Sequence, residues 1–208
     1  LQHHPEFTME EVKSALMTTA EFKGVMRWED RDPAQPLDMG AGRINLEKAV
    51  NPDLYISPPK VDFSLVQKPH THTTTLVIHS YADKDVTVEV GIVLHSGWNR
   101  VTPAGDHLKA EPSEFTLSAT ERDTNVTISL DTGSIELGDQ NAYVVFTDKV
   151  SGNELGHVPL WGQVTCPEDE KKDTLLIIID KDKCDGITSK GITDVYKNTL
   201  NEIGLSYD

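Results

Sequence analysis

Cysteine is the scarcest chemistry-bearing residue in this 208-residue chain: there are two, Cys166 and Cys184. That number is too small for a disulfide-built scaffold. If the two pair, they tie an acidic stretch to the segment after it, worth about 3 kcal/mol for a loop of this size. In a reducing compartment they are simply small, semi-buried side chains. Basic residues are also short, 19 Lys and Arg against 34 Asp and Glu, for a formal charge of -15. Nucleic acid requires basic patches to meet its phosphates, so that partner class is excluded. Long apolar runs are missing too. The run Leu175 to Ile179 has the length of a buried strand and cannot span a bilayer. No basic region followed by an apolar core opens the chain at Leu1. The abundant carboxylates form no complete calcium loop. Asp180-Lys181-Asp182-Lys183-Cys184-Asp185-Gly186 places its third acid and its glycine one position late, and its twelfth position is Gly191 rather than Glu.

What is present begins with a helix. Thr8 and Glu11 form a capping box, so a helix is expected just after Thr8, with Val12, Ala15, Leu16 and Thr19 on one face. Ser14 and Ala15 are small enough for close approach to another element. A glycine-punctuated loop follows, in which Gly40 and Gly42 are free to take backbone angles other residues avoid. Asn45 then caps a short helix, Leu46 to Val50, that stops before Pro52.

Four segments in this order and spacing resemble the end of a subtilisin-like serine protease domain. They are His4-Pro5, Val12 to Ala20, Asp38 to Asn45, and Lys48-Ala49-Val50-Asn51-Pro52. The positions that carry the pattern are Ala15, Leu16, Thr18, Thr19, Ala20, Gly40, Gly42, Asn45 and Pro52. The resemblance implies that the Asp, His, Ser and oxyanion-hole Asn of the parent enzyme lie before Leu1. No catalytic, cofactor or metal residue is therefore transferred to this chain, and any Ca2+ belongs to the parent. It also implies a secreted or extracellular protein whose polypeptide substrates are met by the parent. The catalytic domain's parallel sheet is then the partner of residues 1–52, which have no strands of their own to cover Val12, Leu16, Leu37, Met39 and Ile44.

Residues 53–166 change to short alternating strands. Val61 to Leu65, Thr73 to His79, Val86 to Leu94, Phe115 to Leu117, Val126 to Leu130, Ala142 to Phe146 and His157 to Val164 are separated by turn residues. This spacing predicts an antiparallel sandwich, with Asp148 to Asn153 as a hairpin turn and Pro159 marking an edge or bulge in the last strand. Pro112 to Leu117, Asn125 to Ile128 and Gly156 to Gly162 resemble the fibronectin type III-like domain that follows the catalytic domain in larger subtilases. Residues 167–173 are a charged linker. Residues 174–208 read as one β-α-β unit, with Ile192, Val195, Tyr196, Thr199, Leu200 and Ile203 on its helix face, and resemble the start of an α/β accessory domain. The expected class is thus mainly β: a fibronectin III-like sandwich flanked by a helical remnant of an α/β domain and a partial α/β unit.

Within this chain, Ser14 and Ser64 lack the Gly-rich turn that presents a serine nucleophile. His70 and His72 share a face if extended and could hold a metal, but no third ligand is near in sequence, and a solvated loop is the plainer reading. Asn125-Val126-Thr127 is a glycosylation sequon, or an ordinary strand position. Trp28, Trp98 and Trp161 read as core or interface residues, with a carbohydrate or peptide platform as the alternative. The acid loop Asp180 to Asp182 after a strand has no second residue to make it an active site. Two functions follow: the accessory part of a serine endopeptidase, or a non-catalytic module that binds protein or glycan.

Overall fold

A computed structural model describes residues 4–165. The readings on Cys166, Cys184, the linker 167–173 and the segment 174–208 lie outside the described residues. Three helices, α1 (Met9–Thr18), α2 (Pro36–Met39) and α3 (Leu46–Val50), precede ten strands. These are β1 (Leu54–Ser57), β2 (Val61–Gln67), β3 (Thr71–Ser80), β4 (Val86–Gly97), β5 (Arg100–Pro103), β6 (Leu108–Glu111), β7 (Glu114–Leu117), β8 (Asp123–Asp131), β9 (Gly138–Asp148) and β10 (Glu154–Thr165). One sheet runs β1-β3-β8-β6; the other runs β2-β10-β9-β4-β5, with β7 also on β4. The predicted β-sandwich is therefore present, and its core is Leu76, Ile78, Val126, Ile128 and Leu130 from one sheet against Val88, Val144, Phe146, Val158 and Leu160 from the other.

Three features depart from the expected pattern. The sandwich is not wholly antiparallel, because β2 runs parallel to β10. Of the two readings of Pro159 the edge fails, since β10 lies between β2 and β9 and pairs with β2 from Leu160, just after the missing N–H. The bulge holds, since the strand's register shifts on either side of the proline, between Glu154 and Gly156 and between Trp161 and Gln163. Within β2 the apolar alternation slips, since Ser64 has φ +55, leaving Leu65 exposed and Val66 buried. A register irregularity lies opposite, between Trp161 and Gln163 of β10. The four-residue strands β1, β5 and β6 and the helix α2 lie outside the expected pattern, whereas β7, equally short, falls on the expected segment Phe115 to Leu117.

Helix α1 starts where its capping box places it. Glu11 N–H donates to Thr8 Oγ1 at 3.3 Å, and Thr8 N–H donates to Glu11 Oε2 at 2.7 Å. The face it buries is the small one: Ser14, Ala15 and Thr18. Ser14 Oγ donates to the Ile56 carbonyl at 2.9 Å and accepts from Ile56 N–H at 3.0 Å. Ile56 sits on β1, the edge of its sheet, so one hydroxyl satisfies both outward backbone groups of a buried edge residue.

The middle of the second sheet is buried on both sides. Ala142, Val144 and Phe146 face the sandwich core, while Tyr143 and Val145 pack with Phe22 on the outer side. Phe22 stacks on Tyr143 at 4.0 Å between ring centroids and 17° between planes. The Tyr143 hydroxyl donates to the Gly40 carbonyl at 3.2 Å. Residues 4–52 thus have a partner within this chain, the outer face of the second sheet.

Replacing Ser14 by Ala strips two buried backbone groups of their partner at once and lowers stability by about 2 kcal/mol. Thr8→Ala, which removes an exposed cap, costs about 1 kcal/mol. Urea denaturation followed by tryptophan fluorescence checks both, with Ser14→Ala the more damaging of the two.

Candidate functional site

The side of α1 turned away from the sandwich is not covered. Met9 is 74% exposed, and Val12, Leu16 and Met17 are only partly buried. With Ala41 and Ile44 they line an apolar groove of about 410 Å³. Ile44, at its rim, is 61% exposed. Contiguous apolar surface of this kind marks an interaction face.

The subtilase-like positions divide between this groove and the body beneath it. Leu16, Ala20 and Gly42 line the groove. Ala15, Thr18 and Thr19 are buried, and Thr18 and Thr19 bond back to the carbonyls of Ser14 and Ala15 at 2.9 and 2.7 Å. The Thr18 carbonyl lies so near Gly156 of β10 that a Cβ there would be 3.4 Å from it. Gly40 and Gly42 have φ of +62 and +116. At Gly42 a Cβ would stand 2.5 Å from the Glu21 carbonyl oxygen, because residues 21 and 43 form a two-way backbone bridge at 2.8 and 3.0 Å. Only glycine fits. Asn45 caps α3 through Lys48 N–H at 3.1 Å, and Pro52 is buried.

Beneath the Gly40–Gly42 turn lies a network that no sequence signal announced. His157 on β10 is fully buried; its Nδ1 lies 2.9 Å from Glu154 Oε1 and its Nε2 2.8 Å from the Ala41 carbonyl. The ring is thus held between a carboxylate and a backbone carbonyl, one at each nitrogen. Lys23 Nζ donates to the other Glu154 oxygen at 2.8 Å. Burial pushes the Glu154 carboxyl up, but the hydrogen bond and charge of His157 with those of Lys23 outweigh it and hold the group at about 2. A second buried ring, His95, lies 3.0 Å from the Ala34 carbonyl through Nδ1 and meets Phe22 edge-on.

The other candidates stay apart. The His70 and His72 rings are 6.3 Å apart, and His72 Nε2 lies 3.2 Å from the Gln67 carbonyl. Among the described residues no group of three or more His, Cys, Asp or Glu could hold a metal ion. His4 lies 2.7 Å from the last carbonyl of α3, at Val50. Asn125 is exposed on β8 opposite Val77. Trp28 and Trp98 are 90% and 64% exposed, whereas Trp161 is half-buried. Among the described residues no helix is long and apolar enough to cross a membrane.

No family model and no curated protein sequence matches the chain. Solved structures do. A C. elegans MSP family member, WR4, aligns over 55% of this chain and all of its own, at 11% identity and TM-score 0.38. A PapD-like domain of human CEP192 aligns over 56% of this chain and 87% of its own, at 17% identity and TM-score 0.40. Tripeptidyl Peptidase 2 aligns over 78% of this chain and 14% of its own, at 15% identity and TM-score 0.45.

The depressed Glu154 group has a pH signature. Its contribution is complete above the ordinary glutamate range near ~4.3 and fades as pH falls toward its folded value. Between pH 6 and pH 3 the chain therefore loses stability on the order of 2 kcal/mol through this group, and Glu154→Gln flattens that loss. Thermal melts at the two pH values, wild type against variant, measure the difference.

Proposed function

We propose that this chain is the accessory part of a subtilisin-like serine endopeptidase and supplies no catalytic group of its own. The observation that carries the reading is the two-sidedness of α1. Its small face is welded to the sandwich, while Met9, Val12, Leu16 and Met17 open onto an apolar groove. A helix shared between two bodies is what the subtilase-like pattern across residues 4–52 calls for. The catalytic domain is the body that would seat in the groove. In the parent, serine attacks the peptide carbonyl, histidine takes its proton and an oxyanion hole holds the tetrahedral intermediate. This chain's part is to hold α1 and the Gly40–Gly42 turn rigidly behind that machinery. The β-sandwich also suits a second reading, a binding module, for which the exposed Trp98 speaks.

The purified 208-residue chain is expected to remain unlabelled by a fluorophosphonate and to cleave no peptide. The reading frame encoded ahead of Leu1 is expected to contain a Gly-Thr-Ser turn preceded by Asp and His motifs. A labelled serine in this chain, or an upstream frame without that serine, overturns the proposal.

A further inference from the structure

A second concavity is lined by the bridged residues Glu21 and Arg43. It is an open cleft of about 560 Å³. One wall is the tip of the β4–β5 hairpin, where Trp98 and Asn99 form the two-residue turn between Gly97 and Arg100. Arg43 and Lys48 line the same space, with Phe22 and Lys23. Gly24, at φ +79, brings the chain close against the hairpin tip: a Cβ there would be 3.4 Å from Asn99 Oδ1 and 3.9 Å from the Trp98 ring.

The charges in the cleft do not cancel. Glu154 is committed to Lys23 and His157. Glu21 accepts from Arg43 Nη2 at 2.9 Å and from Asn45 Nδ2 at 2.8 Å, and these bonds hold its carboxyl below the ordinary range. Lys48 forms no ion pair among the described residues, and Arg43 keeps N–H groups free beyond its single contact with Glu21. Three cations thus face two occupied carboxylates, and the uncommitted charged groups only donate. One surplus positive charge matches one carboxylate, and in a chain of net charge -15 it is too little for a polyanion. The exposed indole beside it asks for an apolar or aromatic group attached to that carboxylate, which an inorganic anion lacks.

We propose that this cleft binds a peptide segment through one carboxylate, held by Lys48 and Arg43, with the adjacent large side chain lying on Trp98. The carboxylate comes from a peptide's C-terminus or from an acidic side chain. The site stands on the cleft alone and does not require the protease reading.

The test is an NMR titration of the full 208-residue chain, following the Trp98 indole N–H signal, which is assigned by its loss in Trp98→Phe. The probes are N-acetyl-Ala-Phe as free acid, the same dipeptide as its amide, and N-acetyl-Glu-Phe-amide. A carboxylate-bearing probe is expected to shift the signal saturably with Kd of about 1 mM, and the neutral amide to bind roughly tenfold more weakly. Saturation by the free acid assigns the C-terminal carboxylate; saturation by N-acetyl-Glu-Phe-amide assigns the acidic side chain. Lys48→Glu, an exposed change that leaves the melting temperature in place, weakens the binding about tenfold. The proposal is overturned if neither carboxylate probe saturates, if the neutral amide binds equally well, or if Lys48→Glu changes nothing. A neutral oligosaccharide that saturates the Trp98 signal while these peptides do not overturns it as well. None of these results bears on whether a serine motif precedes Leu1, so the two proposals fail separately.

Discussion

The rest of the structure depends on the burial of a strand pair from both sides. β9 and β10 form the middle of the second sheet, and one face of each belongs to the sandwich core. The other face carries Tyr143, Val145 and His157, which would be stranded at the surface if the N-terminal segment were absent. Phe22 stacks over Tyr143, the Ala41 carbonyl lies against His157, and the Gly40 carbonyl receives the tyrosine hydroxyl. Uncovering these groups would expose an aromatic surface and leave the buried His157, with its half-buried partner Glu154, to water. The segment that covers them is itself too poor in secondary structure to stand alone. Each half makes the other possible.

From that mutual cover follows the position of α1. Ser14 bonds the backbone of Ile56 at the sheet edge, and the small side chains Ala15 and Thr18 let the helix axis approach β1 and β10. Larger residues on that face would lift the helix away. The larger apolar side chains, Met9, Val12, Leu16 and Met17, are consequently on the side that remains open. The functional reading rests on this division of one short helix into a welded face and a free face. The bridged residues Glu21 and Arg43 line the cleft, and Gly42 beside them lines the groove.

Much of this was legible in the residues. Thr8 and Glu11 set the helix start, Asn45 the start of α3, and the seven expected strand segments their places in a sandwich. The burial of α1 was only half legible. Val12 and Leu16 mark an apolar stripe, but hydrophobicity cannot say that the hydroxyl of Ser14 is the group that faces inward. The continuous apolar run Ala142 to Phe146 carried the clue that both faces of β9 are covered, since a half-exposed antiparallel strand alternates. What would cover it was not legible, because Phe22 and Tyr143 are 121 positions apart and meet only through the fold. The network of Lys23, Glu154 and His157 is non-local in the same way. The slip at Ser64 and the parallel pairing of β2 escaped for a different reason: both are set by packing and leave no mark in the residue pattern.

Amide hydrogen exchange on the intact 208-residue chain tests the mutual cover most directly. The account predicts that the amides of α1 from Val12 to Thr18, and that of Ile56, exchange as slowly as those of β8 and β9, because all open only with global unfolding. Exchange of α1 at the rate of an exposed loop, with the sandwich strands still protected, would show the N-terminal segment to be a loose appendage and contradict the account.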